Sequence, residues 1–286
     1  MPIQNVSDTA RWVAIYRAME TDRPDAIFKD PFARRLAGES GEEIVQNMKY
    51  GKQGAWAMIV RTAVMDEIIR QAIADGADTI VNLAAGLDAR PWRMDLPSTL
   101  TWVDVDLPGI LNHKTELMKG ERQRCRYEAV TLDLRERAAR KALFTRIGVG
   151  AKRVLVVAEG LLIYLEPEQV GELADDLSAV PTFKWWLIDL ASPQLVEWMR
   201  GKWGDAAQKA NAPFRFAPEE STAFFLPHGW KENQYRSSWE ESRRLDRQMP
   251  NAWLWRTVGA VMGLFASREK KEKFKRFSGI VLLERA

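Results

Sequence analysis

Asp78-Thr-Ile-Val-Asn-Leu-Ala-Ala-Gly86 is a short apolar run that ends at a glycine, a pattern that predicts a buried β-strand followed by a tight turn. Four similar runs follow it, at residues 100–106, 126–133, 153–159 and 184–190. Helix-like segments lie between the runs, at residues 108–119, 135–147 and 167–179. Strands that alternate with helices are typical of a parallel sheet built from βαβ units. We therefore expect an α/β fold.

The flanks of this alternation predict further helices and a closing strand. The first 76 residues read as helical, with a capping residue at Ser7 and a proline at position 31 suited to the first turn of a second helix. A third helix is predicted over residues 56–74. After the fifth strand we expect helices over residues 195–208, 218–226 and 253–274, and strands over residues 230–237 and 277–284.

The composition excludes several classes of protein. The 286 residues are 46% apolar and 28% charged, which excludes a disordered chain. The net charge of +3 is too balanced to predict a nucleic-acid partner. No apolar run reaches the ~18 residues of a membrane span, so we expect no membrane partner. The single cysteine, Cys125, forms no intrachain disulfide, and residues 1–11 lack signal-peptide features, so we expect a cytoplasmic protein.

Acidic residues stand at the ends of four predicted strands. Asp88 follows the first strand, Asp104 and Asp106 end the second, Asp133 ends the third and Glu159 ends the fourth. In an open parallel sheet, ligands bind outside the carboxyl ends of the strands. These carboxylates are therefore expected to line one ligand-binding edge. Because they stand singly at different strand ends, they do not predict a metal site.

The spacing between the glycine turn and the second strand predicts a nucleoside ligand. Asp104 follows Gly86 by 18 residues, and a carboxylate about 20 residues beyond such a turn commonly binds ribose hydroxyls. Ala84, Gly86 and Ala89 make a degenerate dinucleotide motif, but Asp88 would lie close to a dinucleotide's pyrophosphate. S-adenosylmethionine has no phosphate and carries two cationic groups and one carboxylate. The acidic edge therefore favours S-adenosylmethionine over a nicotinamide cofactor.

Six stretches of the first 165 residues resemble the leucine carboxyl methyltransferase-like family, in its bacterial branch of S-adenosylmethionine-dependent O-methyltransferases. They run in the family's order, and they are Ser7-Asp-Thr-Ala-Arg-Trp-Val-Ala14, Arg23-Pro-Asp-Ala-Ile-Phe-Lys-Asp-Pro-Phe-Ala33, Asn82-Leu-Ala-Ala-Gly-Leu-Asp-Ala-Arg-Pro-Trp-Arg-Met94, Asp104-Val-Asp-Leu-Pro108, Thr131-Leu-Asp-Leu-Arg135 and Ala158-Glu-Gly-Leu-Leu-Ile-Tyr-Leu165.

The resemblance implies a class I methyltransferase fold, which is Rossmann-like, with a seven-stranded, mostly parallel sheet whose last strand is antiparallel. It implies one domain over residues 1–286, divided into a helical N-terminal cap (1–76), a cofactor-binding core (77–192), a lid or acceptor insertion after strand 5 (193–227) and a C-terminal helix with closing strands (228–286).

The resemblance also implies roles for six residues. Gly86 would lie against the methionine part of S-adenosylmethionine and Asp104 would hold its ribose. Asp133 and Leu134 would frame the adenine. Glu159 would lie near the cofactor's ammonium group, and Arg61 would pair with its carboxylate.

The turn departs from the family's usual Gly-Ala-Gly-Leu-Asp-Thr-Arg at two positions. Ala84 takes the place of the first glycine and Ala89 that of the threonine. A positive φ at Ala84 would strain this turn. Ala89 lacks the threonine hydroxyl that could cap the following helix.

The two histidines, His113 and His228, are both interpreted as structural, so the sequence predicts no strong general base. A carboxylate or an acidic hydroxyl needs none, and we expect O-methylation of such a group on a small molecule. An NAD(P)-dependent oxidoreductase and a non-catalytic nucleoside-binding protein are the alternatives. The twelve tryptophans fit a monomer or a homodimer equally.

Overall fold

A seven-stranded sheet forms the centre of the fold. The structure, a computed structural model, describes residues 6–47, 51–209, 213–249 and 268–286. The strands are β1 (Thr79–Leu83), β2 (Thr101–Asp106), β3 (Arg126–Thr131), β4 (Val154–Ala158), β5 (Phe183–Ala191), β6 (Trp230–Ser237) and β7 (Ser278–Arg285). Their order is β3-β2-β1-β4-β5-β7-β6. Strands β1 to β5 are parallel, and β7 is antiparallel to both of its neighbours. The predicted fold class is confirmed.

The central strands are the ones that the apolar runs predicted most directly. Every residue of β1 and of β4 is buried, as expected for parallel strands that are covered by helices on both faces. Strands β2 to β5 end within two residues of their predicted limits, and β6 has the predicted limits of 230–237. The apolar runs therefore placed the central strands β1 and β4 correctly.

Helices cover the two faces of the sheet and the edge formed by its carboxyl ends. They are α1 (Val6–Thr21), α2 (Ala33–Asn47), α3 (Gly51–Ala74), α4 (Arg90–Arg93), α5 (Pro108–Leu117), α6 (Arg137–Gly150), α7 (Pro167–Ser178), α8 (Pro193–Lys209), α9 (Ser238–Arg244) and α10 (Arg268–Lys275). The helix predicted over residues 218–226 is a 3-10 helix at Ser221–His228. The first part of the helix predicted over residues 253–274 lies outside the described residues.

Alternation along the strands separates two apolar layers. Val81 and Val103 pack in one layer with α6 and α7, whereas Ile80 and Trp102 pack in the other layer with α3. A third apolar cluster joins α1, α2 and the first half of α3 to Leu87, in the turn after β1. The N-terminal helices therefore lie over the carboxyl end of β1, which is where the predicted ligand edge begins.

Candidate functional site

A cavity of about 260 Å³ opens at the carboxyl ends of β1, β2, β4 and β5. Its floor consists of the turns that follow β1 and β4, and α1 covers it with Ala10, Trp12 and Val13. The charged and amide side chains that line it are Arg17, Arg61, Asn82, Asp88, Asp106, Glu159 and Asp189. The cavity therefore lies where ligands bind in open parallel sheets.

Gly86 lies in the floor of the cavity, against Ala10 of the covering helix α1. Its φ is +51°, and an added Cβ would come within 3.1 Å of the Ala10 Cβ in α1. Its backbone N donates a hydrogen bond of 2.6 Å to Oδ2 of Asp106. Glycine is therefore favoured at this position both by the backbone conformation and by the limited space beside Ala10.

Ala84, two residues earlier, has the positive φ that would strain the turn, at +52°. For a residue with a Cβ, this conformation costs roughly 1–2 kcal/mol. Ala84→Gly is therefore expected to raise the free energy of unfolding by about 0.5–1 kcal/mol, after allowance for the flexibility of glycine in the unfolded chain. Urea unfolding followed by circular dichroism measures the difference.

Ala85→Gly is the matched control for this prediction. Ala85 is buried and is not among the described residues with positive φ, so a glycine there gives no relief of strain. We expect this control to lower the free energy of unfolding. A loss of stability in both variants would contradict the strain at Ala84.

Asp104 does not reach the cavity. Its side chain is fully buried and accepts hydrogen bonds from Lys114 Nζ at 2.7 Å, the Tyr127 hydroxyl at 2.8 Å, Trp102 Nε1 at 2.9 Å and Asn82 Nδ2 at 3.2 Å. Both carboxylate oxygens are thus engaged inside the sheet. The expectation that Asp104 holds a ribose does not fit this geometry.

Asp106, at the last position of β2, is the acid of this strand that lines the cavity. Its Oδ1 accepts the backbone N–H of Leu107 at 2.7 Å, and its Oδ2 accepts that of Gly86. Burial raises the pKa of Asp106 above its ordinary value, and these two backbone donors act in the opposite direction. Each oxygen keeps a lone pair for a further donor, such as a ligand hydroxyl.

Asp88 is fixed by protein groups. Its Oδ2 accepts from Arg90 Nη1 at 2.6 Å and from Asn82 Nδ2 at 3.0 Å, and its Oδ1 accepts the backbone N–H of Arg90. Burial alone would raise the pKa of Asp88, but the guanidinium groups of Arg90 and Arg93 hold this pKa well below its ordinary value. The carboxylate therefore stays ionised in the wall of the cavity.

Glu159 and Arg61, to which the family resemblance gave cofactor contacts, both line the cavity and pair with each other. Arg61 Nε donates to Oε1 of Glu159 at 3.0 Å, and Arg90 Nη1 donates to its Oε2 at 2.9 Å. Burial would raise the pKa of Glu159, but the two arginines lower it below the ordinary value. The second partner of Arg61 is Asp189 of β5, at 3.0 Å, which the sequence analysis did not select.

Asp133 and Leu134 do not line the cavity. Asp133 is a quarter exposed and pairs with Arg135 Nη2 at 2.6 Å. The side-chain hydrogen bond from Arg135 lowers the pKa of Asp133. Leu134 packs against the apolar layer beneath α6 and α7. Both residues nevertheless follow β3, next to the end of β2, since the backbone N–H of Leu132 donates to the carbonyl of Asp106 at 2.9 Å.

The other half of the cavity is apolar and partly aromatic. Its lining includes Ile163, Tyr164, Leu195, Met199, Phe214 and Phe216. The Tyr164 and Phe214 rings lie 5.9 Å apart, and the backbone N–H of Arg215 donates to the Ile163 carbonyl at 2.7 Å. Burial raises the pKa of Tyr164, so its phenol stays neutral and can donate a hydrogen bond.

Neither histidine lines this cavity. A ring nitrogen of His113 lies 3.4 Å from the Leu36 carbonyl, and Nδ1 of His228 lies 2.7 Å from Oδ1 of Asp175. Within the described ranges, no group of three or more His, Cys, Asp and Glu side chains is arranged to hold a metal ion. Similarly, none of the described helices has the length and apolar content needed to cross a membrane.

The chain is similar to known methyltransferases in sequence and in fold. The sequence profile of the leucine carboxyl methyltransferase family matches residues 10–178. A protein from Frankia alni is 31% identical over 237 residues, which cover 78% of this chain and 82% of that protein. A protein from Streptomyces avermitilis is 28% identical over 242 residues, which cover 79% and 83%. Both are named "Putative S-adenosyl-L-methionine-dependent methyltransferase".

Among solved structures, magnesium protoporphyrin IX methyltransferase from Synechocystis PCC 6803 with bound SAH has a similar fold. Its TM-score is 0.50, and the alignment covers 88% of this chain and 92% of that one. The sequences are only 13% identical, so this likeness concerns the fold alone.

Proposed function

The chain belongs to the leucine carboxyl methyltransferase family, and we propose from this premise how its cavity holds the cofactor and which acceptors it methylates. It is an S-adenosylmethionine-dependent methyltransferase. The observation that carries the proposal is the division of the cavity into a charged half, above β1, β2, β4 and β5, and an apolar half. One half suits a charged nucleoside and the other suits an organic acceptor.

The donors and acceptors of the charged half fit S-adenosylmethionine. We assign the ribose hydroxyls to Asp106, in place of Asp104, because Asp106 faces the cavity and has free lone pairs. Arg61 supplies a guanidinium for the cofactor's carboxylate, and Glu159 supplies a carboxylate for its ammonium group. Gly86 leaves room for the methionine part, since any Cβ there would meet α1.

We place the adenine toward the end of β3, beside the ribose. Asp133 and Leu134 stand there, outside the cavity lining but next to Asp106 along the sheet edge. The Asp133 carboxylate is able to accept from an exocyclic amino group, and the Leu134 side chain offers an apolar contact. This assignment keeps the roles that the family resemblance implied for these two residues.

The reaction proposed is O-methylation of a carboxylate or an acidic hydroxyl on a small molecule. When bound, S-adenosylmethionine supplies an electrophilic methyl group on a sulfonium. The chain's own contribution is to orient the two reactants and to exclude water, which is sufficient when the acceptor oxygen is already ionised. The absence of both histidines from the described cavity supports such an acceptor. Tyr164 lines this part of the cavity, and we propose that its neutral phenol contacts the acceptor.

The apolar walls indicate the body of the acceptor. Ile163 and Tyr164 come from the 3-10 turn after β4, Leu195 and Met199 from α8, and Phe214 from the segment that follows α8. We therefore propose that residues 193–227 shape the acceptor side of the cavity, in a single domain with the cofactor-binding core. A largely apolar acceptor with one acidic group fits these walls best.

Incubation of the purified chain with methyl-labelled S-adenosylmethionine and a panel of small carboxylic acids, phenols and amines tests the proposal. We expect base-labile methyl esters or methyl ethers to form from acidic acceptors. On a carboxylate acceptor, turnover should not fall between pH 8 and pH 6, because the acceptor stays ionised and no histidine in the cavity has to lose a proton. Transfer to amines alone, or a rate that falls as a histidine with a pKa near 6.5 is protonated, would overturn the proposed acceptor class.

Calorimetric titration with S-adenosylmethionine, S-adenosylhomocysteine and NADH is the companion measurement. We expect both sulfur nucleosides to bind and NADH to be excluded, because Asp88 stays ionised in the turn that would hold a pyrophosphate. Binding of NADH alone would favour the oxidoreductase alternative. Tight binding of S-adenosylmethionine, without turnover of any acceptor, would favour a non-catalytic protein.

A further inference from the structure

Asp189 connects two parts of the charged half of the cavity. Its Oδ1 accepts the backbone N–H of Gly160 at 2.6 Å, and its Oδ2 accepts from Arg61 Nη1 at 3.0 Å. Gly160 belongs to the turn after β4 that also presents Glu159, whereas Arg61 comes from α3. One carboxylate therefore fixes a strand turn and a helix side chain relative to each other.

Asp189 lies on strand β5, which pairs with a neighbouring strand on each side. In β5, Asp189 pairs with Ile280 of the antiparallel β7, and the preceding Ile188 pairs with Ala158 of β4. The side chain is 26% exposed and faces the cavity. A side chain that is anchored on a central strand is a more rigid support than one on a loop.

Arg61 is held from two sides. Glu159 accepts from its Nε, and Asp189 accepts from its Nη1. The guanidinium lies against Gly160, where an added Cβ would come within 3.3 Å of Nη1 and 3.5 Å of Nη2. Among the described residues, Nη2 has no hydrogen-bond acceptor, so its N–H groups are available to a ligand. Two carboxylates and a glycine thus fix the plane of a flexible side chain.

We propose that Asp189 is a positioning residue that orients Arg61 for the carboxylate of S-adenosylmethionine, a proposal that rests on the cofactor site proposed above. A long arginine side chain loses conformational freedom when it binds a ligand carboxylate. Because Asp189 and Glu159 already hold the Arg61 side chain in place, binding of the ligand costs less conformational entropy. Asp189 also adds negative charge near the incoming carboxylate. The ordering outweighs this repulsion, because Arg61 lies between the two groups.

The test compares Asp189→Asn with the unaltered chain, by calorimetric titration with S-adenosylmethionine and with decarboxylated S-adenosylmethionine. The asparagine oxygen can still accept from Gly160, but its amide group faces the donor Nη1 of Arg61. We expect the Kd for S-adenosylmethionine to rise about tenfold. The Kd for the decarboxylated ligand should change less than about twofold, because that ligand has no group for Arg61 to hold.

Every other outcome overturns the proposal. Equal weakening for the two ligands would show that Asp189 acts only through the Gly160 turn. Unchanged or tighter binding of S-adenosylmethionine would show that repulsion outweighs ordering. If the unaltered chain binds neither ligand, the proposed cofactor site itself fails, which is a distinct result.

A double-mutant cycle with Arg61→Gln isolates the pair. In the Arg61→Gln variant, Asp189→Asn should raise the Kd for S-adenosylmethionine by less than twofold, because the arginine that Asp189 positions is absent. Glu128→Gln is the charge-matched control, because it also removes one carboxylate. Glu128 lies on β3 in an exposed ion pair with Arg146, so both Kd values should stay unchanged. If Asp189→Asn does not fold, Asp189→Ser replaces it. A serine hydroxyl carries no negative charge to hold Arg61, and the preference for S-adenosylmethionine over the decarboxylated ligand should fall by a similar factor.

Discussion

Asp106→Ala is expected to weaken S-adenosylmethionine binding by about 100-fold or more. Each hydrogen bond from a ribose hydroxyl to an ionised carboxylate is worth roughly 1.5–3 kcal/mol, and a tenfold change in Kd corresponds to about 1.4 kcal/mol. The variant also releases the backbone N–H of Gly86, which loosens the turn beneath the methionine part. Calorimetric titration measures the change in Kd.

A ligand without ribose hydroxyls separates these two effects. S-adenosylhomocysteine should lose most of its affinity in Asp106→Ala, whereas its 2′,3′-dideoxy analogue should lose only the smaller part that comes from the loosened Gly86 turn. A thermal unfolding curve monitored by circular dichroism provides the folding control. Equal losses for both ligands would assign Asp106 to the support of the Gly86 turn and would leave the ribose without this partner.

Asp104→Asn is expected to lower the free energy of unfolding by about 3–5 kcal/mol, as is typical when one partner of a buried ion pair is removed. Lys114 is fully buried, and its Nζ lies 2.7 Å from Oδ2 of Asp104. An asparagine retains an acceptor for Trp102 and Asn82, but it turns a donor group toward Lys114 and toward the hydroxyl of Tyr127. Urea unfolding measures the loss.

The variant Asp104→Asn/Lys114→Met tests the cause of that loss. Removal of the unpaired ammonium group should restore a large part of the free energy of unfolding, since the methionine fills a similar volume without a charge. A single variant that loses less than about 1 kcal/mol would contradict the structural role of Asp104. Where the single variant remains folded, its affinity for S-adenosylmethionine should far exceed that of Asp106→Ala.

The centre of the sheet was predictable from the sequence because every residue of β1 and β4 is buried. Runs such as Val154–Ala158 are apolar throughout, so no alternation has to be recognised. The region after β5 was harder to predict. Pro227 lies within the segment Ser221–His228 and excludes a regular α-helix, since proline lacks the N–H that the helix ladder needs.

The site was predictable to the level of a strand end, but not always to the residue. Asp104 and Asp106 lie two positions apart on β2 and therefore share a face, so strand periodicity does not distinguish them. Their depth in the sheet distinguishes them, because Asp104 pairs with Asn82 within β1, whereas Asp106 ends the strand. The available signal was Pro108, which begins α5 two residues after Asp106 and so marks the end of the strand.

Asp189 shows a signal that the sequence analysis passed over. It stands near the end of an apolar strand, as the five acids at the ends of the first four strands do, and the same argument applied to it. Arg17 and Arg90 could not have been found in this way. Arg17 donates to Asp30 and to the Leu87 carbonyl, and Arg90 joins Asp66, Asp88 and Glu159, contacts that exist only after the chain has folded.

The strand order has a consequence for the synthesis of this protein on the ribosome. β7 follows β6 in the chain but lies between β5 and β6 in the sheet. Until β7 emerges, β5 has an open edge and β6 lacks its partner in the described sheet. At ~5–20 residues per second, the 94 residues from the end of β5 to the end of β7 take roughly 5–19 s to add. Open strand edges favour aggregation, so the nascent chain passes through an interval in which the edge of β5 is exposed to pairing with other chains.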